Sequence, residues 1–314
     1  MGIKYLNTYI RNNVCNRQLE LHLKDLQYKT IVVDISIYMY KFKGENNLIP
    51  GLYQMVSLFN YYNIKSIFVF DGKPPKEKHD VLVERYHRRK QAEKEHAILS
   101  REKNETVHHY ERLRELERKM TRLTRLDTEN AKRLLGLCGA TVVQAEGEAD
   151  QICALYVIKG KAYACLSEDT DMFVYGCPRV LKCMNLLYCT VKLYNLKHIL
   201  RNMHISIDEF KDICILADNE HVCVNQKTLS ISHVVVLFNT YKNVKGGQSG
   251  QSSQNFHDYL HEKNIITDMD SIDNAKKNYV LSDADIDRCC IDTPNDIAVF
   301  NKKTRVKLHE FLKS

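Results

Sequence analysis

Short apolar runs and longer amphipathic stretches alternate along the first two-thirds of the chain. Ile31-Val32-Val33 is a β-branched run that closes on Asp34, and Ile67-Phe68-Val69-Phe70 closes on Asp71. Ala140 to Gln144 leads into Glu146 and Glu148, and Lys161 to Ser167 leads into Asp169 and Asp171. Runs of this length and composition predict buried strands. Between them, Ile35 to Phe42, Leu52 to Tyr62 and Asp150 to Lys159 carry helical spacing. Strands separated by helices predict an α/β fold, with a mainly parallel central sheet covered on both faces. Val180 to Met184 and Cys189 to Leu193 predict a hairpin, and Ile207 to Leu216 and His233 to Tyr241 predict further helices. Leu19 to Leu23 reads as a short helix or loop. Gly246 to Gln254 (GGQSGQSSQ) reads as a linker.

Residues 76–135 differ in kind. They are densely charged, lack Gly and Pro, and predict two or more long helices. From Lys73 to Arg133 there are 18 Lys and Arg against 12 Asp and Glu, so most of the chain's net +7 lies in one fifth of its 314 residues. Lys78, Arg85 and Arg89 fall on one helical stripe, with Arg88 beside it. A charge run alone is usually a solvated face. A one-sided basic stripe adds a surface for phosphates.

The 11 cysteines are spread from Cys15 to Cys290 without a C-x-x-C pair, which fits free thiols in a reducing compartment. No signal-peptide pattern opens the chain, and no apolar run approaches the roughly 20 residues of a membrane span. A soluble protein of the nucleus or cytoplasm is expected, with no membrane partner. A P-loop is absent, so ATP is not implied.

In a parallel α/β sheet, ligands bind outside the carboxyl ends of the strands. Asp34, Asp71, Asp169 and Asp171 each stand just after a strand-like run. Glu146 and Glu148 follow a strand at the start of a helix, and Asp218 or Glu220 at a helix end would close the group. Any one of these acids has an ordinary structural reading as a cap or turn residue. Six at strand ends beside a basic segment make coincidence a weak account. Crowded carboxylates resist ionisation unless cations neutralise them. Oxygen-only ligation favours Mg²⁺, with Mn²⁺ as a substitute. Two such ions fit phosphodiester hydrolysis.

These residues resemble the flap endonucleases, members of the XPG-like structure-specific 5′ nucleases. The match is carried by the opening Met-Gly-Ile, by Val-Val-Asp34-Ile-Ser-Ile-Tyr-Met-Tyr40, by Val-Phe-Asp71-Gly-Lys-Pro-Pro, by Ala-Glu146-Gly-Glu148-Ala with Ser-Glu-Asp169-Thr-Asp171, and by Phe210-Lys-Asp-Ile-Cys-Ile-Leu. The resemblance implies a single 5′-nuclease (PIN-like) domain over residues 1–314, with a helical arch at 76–134. It implies a divergent helix–two-turn–helix region at 222–270. It implies two Mg²⁺ held by Asp34, Asp71, Glu146, Glu148, Asp169, Asp171 and Glu220 (or Asp218). Lys78 and Arg85 would serve catalysis at the scissile phosphate. Gly2, Tyr40, Arg88 and Arg89 would contact DNA. The expected partner is DNA with a 5′ flap or branch, cut by a monomer in replication, repair or recombination. The chain departs from the family in a shorter stretch after Phe42, and in Ser230-Ile-Ser232-His233 where the family has a Gly-x-Gly turn. It shows no sliding-clamp peptide. The alternatives are a superfamily exonuclease on duplex or RNA 5′ ends, and an inactive nucleic-acid-binding homologue.

Overall fold

The computed structural model describes Ile3 and residues 5–14, 19–73, 79–102, 106–218, 223–224, 227–247, 255–266, 268–282, 284–287, 290–292, 308 and 310–312. Its strands are β1 (Leu19–His22), β2 (Thr30–Asp34), β3 (Lys65–Phe70), β4 (Thr141–Gln144), β5 (Ala164–Leu166), β6 (Arg179–Asn185), β7 (Thr190–Asn195), β8 (Cys223–Val224), β9 (Lys227–Thr228) and β10 (Cys290–Asp292). Its helices are α1 (Leu6–Tyr9), α2 (Ile35–Gly44), α3 (Leu48–Tyr61), α4 (His79–Leu99), α5 (Val107–Met120), α6 (Arg125–Leu137), α7 (Ala149–Ile158), α8 (Asp171–Val174), α9 (Leu196–Met203), α10 (Ile207–Asp218), α11 (Ile231–Gly247), α12 (Phe256–Glu262), α13 (Met269–Lys277) and α14 (Ala284–Asp287).

The main sheet runs β1-β7-β6-β5-β2-β3-β4-β10. The inner block β6-β5-β2-β3-β4 is parallel, and β1, β7 and β10 add antiparallel edges. Alternating strand residues feed two cores. Val32, Val69, Val143, Cys165 and Val180 face one layer, which includes α7, α8, α10 and α11. Val33, Phe68, Val142, Leu166 and Leu181 face the other, with α2, α3 and α6. Both faces are therefore apolar, which is why these strands read as near-continuous hydrophobic runs. From β2 the chain proceeds one way to β3 and β4, then returns to lay β5 and β6 on the other side. That reversal opens a crevice at the carboxyl ends of β2 and β5.

The charged stretch forms α4 and α5, followed by α6. Arg112 of α5 donates to Glu95 of α4 at 2.6 Å, and Arg112 and Lys119 both pair with Glu115. Two regions differ from the sequence reading. Leu19–His22 is a strand, not a helix or loop, because β7 supplies a ladder from Leu19↔Leu193 to His22↔Thr190. Four residues are too few for local periodicity to show this. The glycines at 246 and 247 complete α11 instead of opening a linker, and residues 248–254 lie outside the described residues. The cysteines 138, 153, 165, 177, 183, 189 and 214 are free thiols. Among the described residues, no helix is long and apolar enough to cross a membrane.

Candidate active site

Asp34 ends β2 and is only 6% exposed. Its Oδ1 accepts from the Ser36 amide at 3.3 Å, so the carboxylate caps α2. Its Oδ2 accepts from the Ser167 hydroxyl at 3.1 Å. Burial, with Asp71 and Asp169 nearby, pushes the Asp34 carboxyl up to about 7, despite those two hydrogen bonds. A carboxyl so displaced marks a crowded, poorly hydrated acidic site.

Serines stitch the acids together. The Ser36 hydroxyl donates to Asp71 Oδ2, while Ser167 Oγ also accepts from the Asp169 amide at 3.1 Å. Asp169 Oδ1 accepts from the Asp171 amide at 3.0 Å. Asp171 Oδ1 accepts from the Ile3 amide at 3.1 Å, which ties the start of the chain to the site. On the other side, Asp71 Oδ1 accepts from the Ala149 amide at 2.9 Å. The first turn of α7 is thereby fastened to the end of β3.

This fastening places the first turn of α7 next to the end of β3. Gly72 donates its amide to the Gly147 carbonyl, and Lys73 donates to the Glu146 carbonyl at 3.0 Å. Helix α7 begins at Ala149, so Asp150 stands in its first turn. Carboxylate oxygens of Asp150, Asp169 and Asp171 lie within 4.8 Å of one another. Glu146, which the sequence reading paired with Glu148, is exposed and is not a member of that trio. It lines a separate shallow cleft with Lys73, Gln151 and Asp285, and Glu148 also lines it. The Tyr175 phenol is raised by burial first and by Asp150 next, with Asp171 and Glu148 adding to the effect. Asp150, Ser36 and Ser167 are the site residues that sequence reasoning missed. The available signal for Asp150 was its place in the first turn of a helix following a strand.

The structure thus brings Asp34, Asp71, Asp169 and Asp171 to one edge, as expected, and adds Asp150. Gly2, Lys78 and Glu220 lie outside the described residues, as does the side chain of Asp218. Oxygen donors at this spacing suit a hard divalent cation.

Helix α2, which Asp34 caps, borders a basic cleft of ≈ 690 Å³ together with α4 and α5. Tyr40, Arg85, Arg88, Arg89, Arg112 and Arg118 line it. Tyr40 is 51% exposed, although it stands on a helix whose other face holds Tyr38, Met39 and Phe42 in the core. Arg88 pairs with Glu84 one turn back, and Arg89 lies 3.8 Å from Glu93 and 5.4 Å from the Tyr86 ring. Among the described residues, Arg85 has no carboxylate partner. Arg85 and Arg89 of the predicted stripe, with Arg88 beside them, therefore line one cleft with Tyr40. At the matching stretch for the Gly-x-Gly turn, Ser230 Oγ instead contacts His233 Nδ1 at 2.9 Å and accepts from its amide as α11 begins.

Two family models match the chain: the XPG N-terminal domain over residues 1–92 and the XPG I-region over residues 139–220. Flap endonuclease 1 of Caenorhabditis elegans is 31% identical over 264 residues, covering 78% of this chain and 67% of that protein. The Leishmania major flap endonuclease 1 is 32% identical over 244 residues, covering 71% and 60%. The chain spans 59% to 67% of the length of the curated relatives it matches. Among solved structures, the flap endonuclease-1 from Methanococcus jannaschii aligns at TM-score 0.58 and 20% identity, over 99% of each chain. The catalytic core of Rad2 in complex with DNA substrate aligns at 0.61 and 18%, over 100% of this chain and 94% of that one. These structures share the 5′-nuclease fold.

Proposed function

The chain belongs to the XPG-like flap endonuclease family, and from that premise we propose that it is a Mg²⁺-dependent, structure-specific 5′-flap endonuclease with 5′-exonuclease activity on DNA. The observation that carries the reading is the close grouping of Asp150, Asp169 and Asp171 at the sheet's carboxyl edge. An acidic group buried at a sheet edge is costly by itself, as the displaced Asp34 shows. A basic, aromatic cleft lined in part by α2, the helix that Asp34 caps, gives that cost a use.

The donor set fits the implied metal, since every member offers carboxylate oxygen and none offers sulfur or imidazole. Asp34, Asp71, Glu148, Asp150, Asp169 and Asp171 would hold it, with Asp218 or Glu220 completing the set. Bound there, two Mg²⁺ would supply an activated water and stabilise the leaving oxygen. Ser36 and Ser167 hold the carboxylates in register. Arg85 offers a guanidinium to the phosphoryl oxygens, with Lys78 in the same role. Tyr40 offers a ring on which any base stacks, so the reading needs no sequence preference. Arg88 and Arg89 track the strand's phosphates. On this reading the protein acts as a monomer inside the cell, in the nucleus or cytoplasm, during replication and repair.

The test is cleavage of an end-labelled 5′-flap duplex with Mg²⁺, beside blunt duplex and single-stranded RNA, with Asp171→Ala as control. Faster cutting of the flap, lost in the variant, is expected. Equal cutting by both proteins, or no preference for the flap, would remove the assignment.

A further inference from the structure

Strand β6 carries a lysine where its neighbours are apolar. Val180 and Lys182 point to the same layer of the molecule, and Leu181 points to the other. Lys182 is 1% exposed, and its Nζ has no hydrogen-bond partner among the described residues. The ammonium lies 5.9 Å from the ring of Phe173, which stands two residues after Asp171 in α8. Taking an ammonium out of water without a partner costs several kcal/mol. A residue placed at that cost needs a favourable field.

The surroundings supply one. The acids that act on Lys182 most strongly are Glu168 and Asp169, with Asp171 adding to them, and all oppose the effect of burial on its ammonium. These three belong to the segment that follows β5. The same segment is fastened to β6 at Lys182's neighbour: the Cys183 amide donates to Glu168 Oε1 at 2.6 Å. Cys183 has φ 55°, and the β6–β7 register breaks between Lys182 and Asn185. A β-bulge re-aims side chains. Here it coincides with the Glu168 contact and with the burial of Lys182. Lys182 makes no ion pair within 4 Å among the described residues, so it acts on the acids as a fixed charge at a distance, not as a ligand to one of them.

We propose that Lys182 is an internal counter-charge for the Glu168–Asp171 segment. It offsets part of the segment's negative charge, keeps the acids assembled before cations arrive, and weakens the cations' hold once they do. The inference rests on the metal-binding reading of the site.

Mn²⁺ binding to the full chain without DNA, measured by calorimetry, tests it. Lys182→Met keeps an unbranched side chain one atom shorter and removes the charge. It should bind Mn²⁺ about tenfold more tightly than the wild type. Lys182→Arg keeps the charge and should bind as the wild type does. Lys182→Gln replaces the methionine variant if that one does not fold. A merely structural lysine would alter the melting temperature in EDTA and leave Mn²⁺ affinity unchanged. Unchanged or weaker binding by the uncharged variants, or equal tightening by Lys182→Arg, would overturn the proposal. A wild type that takes up no Mn²⁺ would instead sink the metal reading itself.

Discussion

The Ala149 amide donates to Asp71 Oδ1 at 2.9 Å, joining the end of β3 to the first turn of α7. One residue later on that turn, Asp150 meets Asp169 and Asp171. Substitution should therefore separate Asp150 from Glu146. Asp150→Ala is expected to lower flap cleavage by about 100-fold or more, with weakened Mn²⁺ binding. Glu146→Ala, on an exposed turn, is expected to stay within about threefold of wild type. Steady-state cleavage with a Mn²⁺ titration checks both. Greater loss in Glu146→Ala than in Asp150→Ala would reverse the assignment.

The turn that sets this register depends on Gly72. A Cβ there would sit 2.1 Å from the Glu146 carbonyl oxygen and 2.4 Å from that of Ala145. Both atoms are backbone, so neither can swing away. Gly72→Ala should cost about 1–3 kcal/mol of stability and shift α7 away from Asp71. Urea denaturation measures the first effect, and cleavage rate the second. A variant with wild-type stability and activity would show that the two loops can part without consequence.

Much of this arrangement was legible in the chain. The β-branched runs ending at Asp34 and Asp71 announce their strands, because both faces of the parallel sheet are buried. The acids at their ends then follow from topology. What stayed hidden depends on tertiary pairing. The Gly72–Gly147 crossing fixes where α7 starts, and no local pattern in Glu146–Asp150 reports it. Ser36 and Ser167 are short polar residues of ordinary type, and only their hydrogen bonds to Asp34, Asp71 and the Asp169 amide give them a role. Edge strands β1 and β10 are short and take their form from β7 and β4. Lys182 did carry a signal, a charge inside Val180-Leu-Lys-Cys-Met184, but its meaning needed the loop that packs beside it.

His257 provides a pH-dependent contribution away from the acids. It is buried, and burial lowers its pKa from the ordinary value; Asp212 opposes the shift, Lys276 reinforces it, and Asp273 and Asp258 oppose it more weakly. The contact of Lys276 Nζ with His257 Nδ1 at 3.0 Å suits a neutral ring that accepts from the ammonium. Protonating that nitrogen would face two cations across the same gap. Because the unfolded chain takes up the proton at higher pH than the folded one, stability should fall as pH drops below about 6.5. His257→Gln should flatten that decline. Urea midpoints at several pH values, in wild type and variant, check it, and parallel pH curves would count against the role.

The basic cleft yields a test of how the strand is held. Arg88 already faces Glu84, and Arg112 already bridges to Glu95 and Glu115. Arg85 shares the cleft with Tyr40 and lacks such a partner among the described residues. A guanidinium with no competing carboxylate gives more to a phosphate, since nothing must be broken first. Arg85→Ala should therefore weaken single-stranded DNA binding more than Arg88→Ala, and lower the salt slope of binding by about 1. Tyr40→Ala should weaken binding by about 1–3 kcal/mol while leaving that slope unchanged, because stacking releases no counterions. Fluorescence anisotropy across a salt series, in EDTA to prevent cutting, separates the two contributions. Equal slopes for wild type and Arg85→Ala would place the phosphate contact elsewhere in the arch.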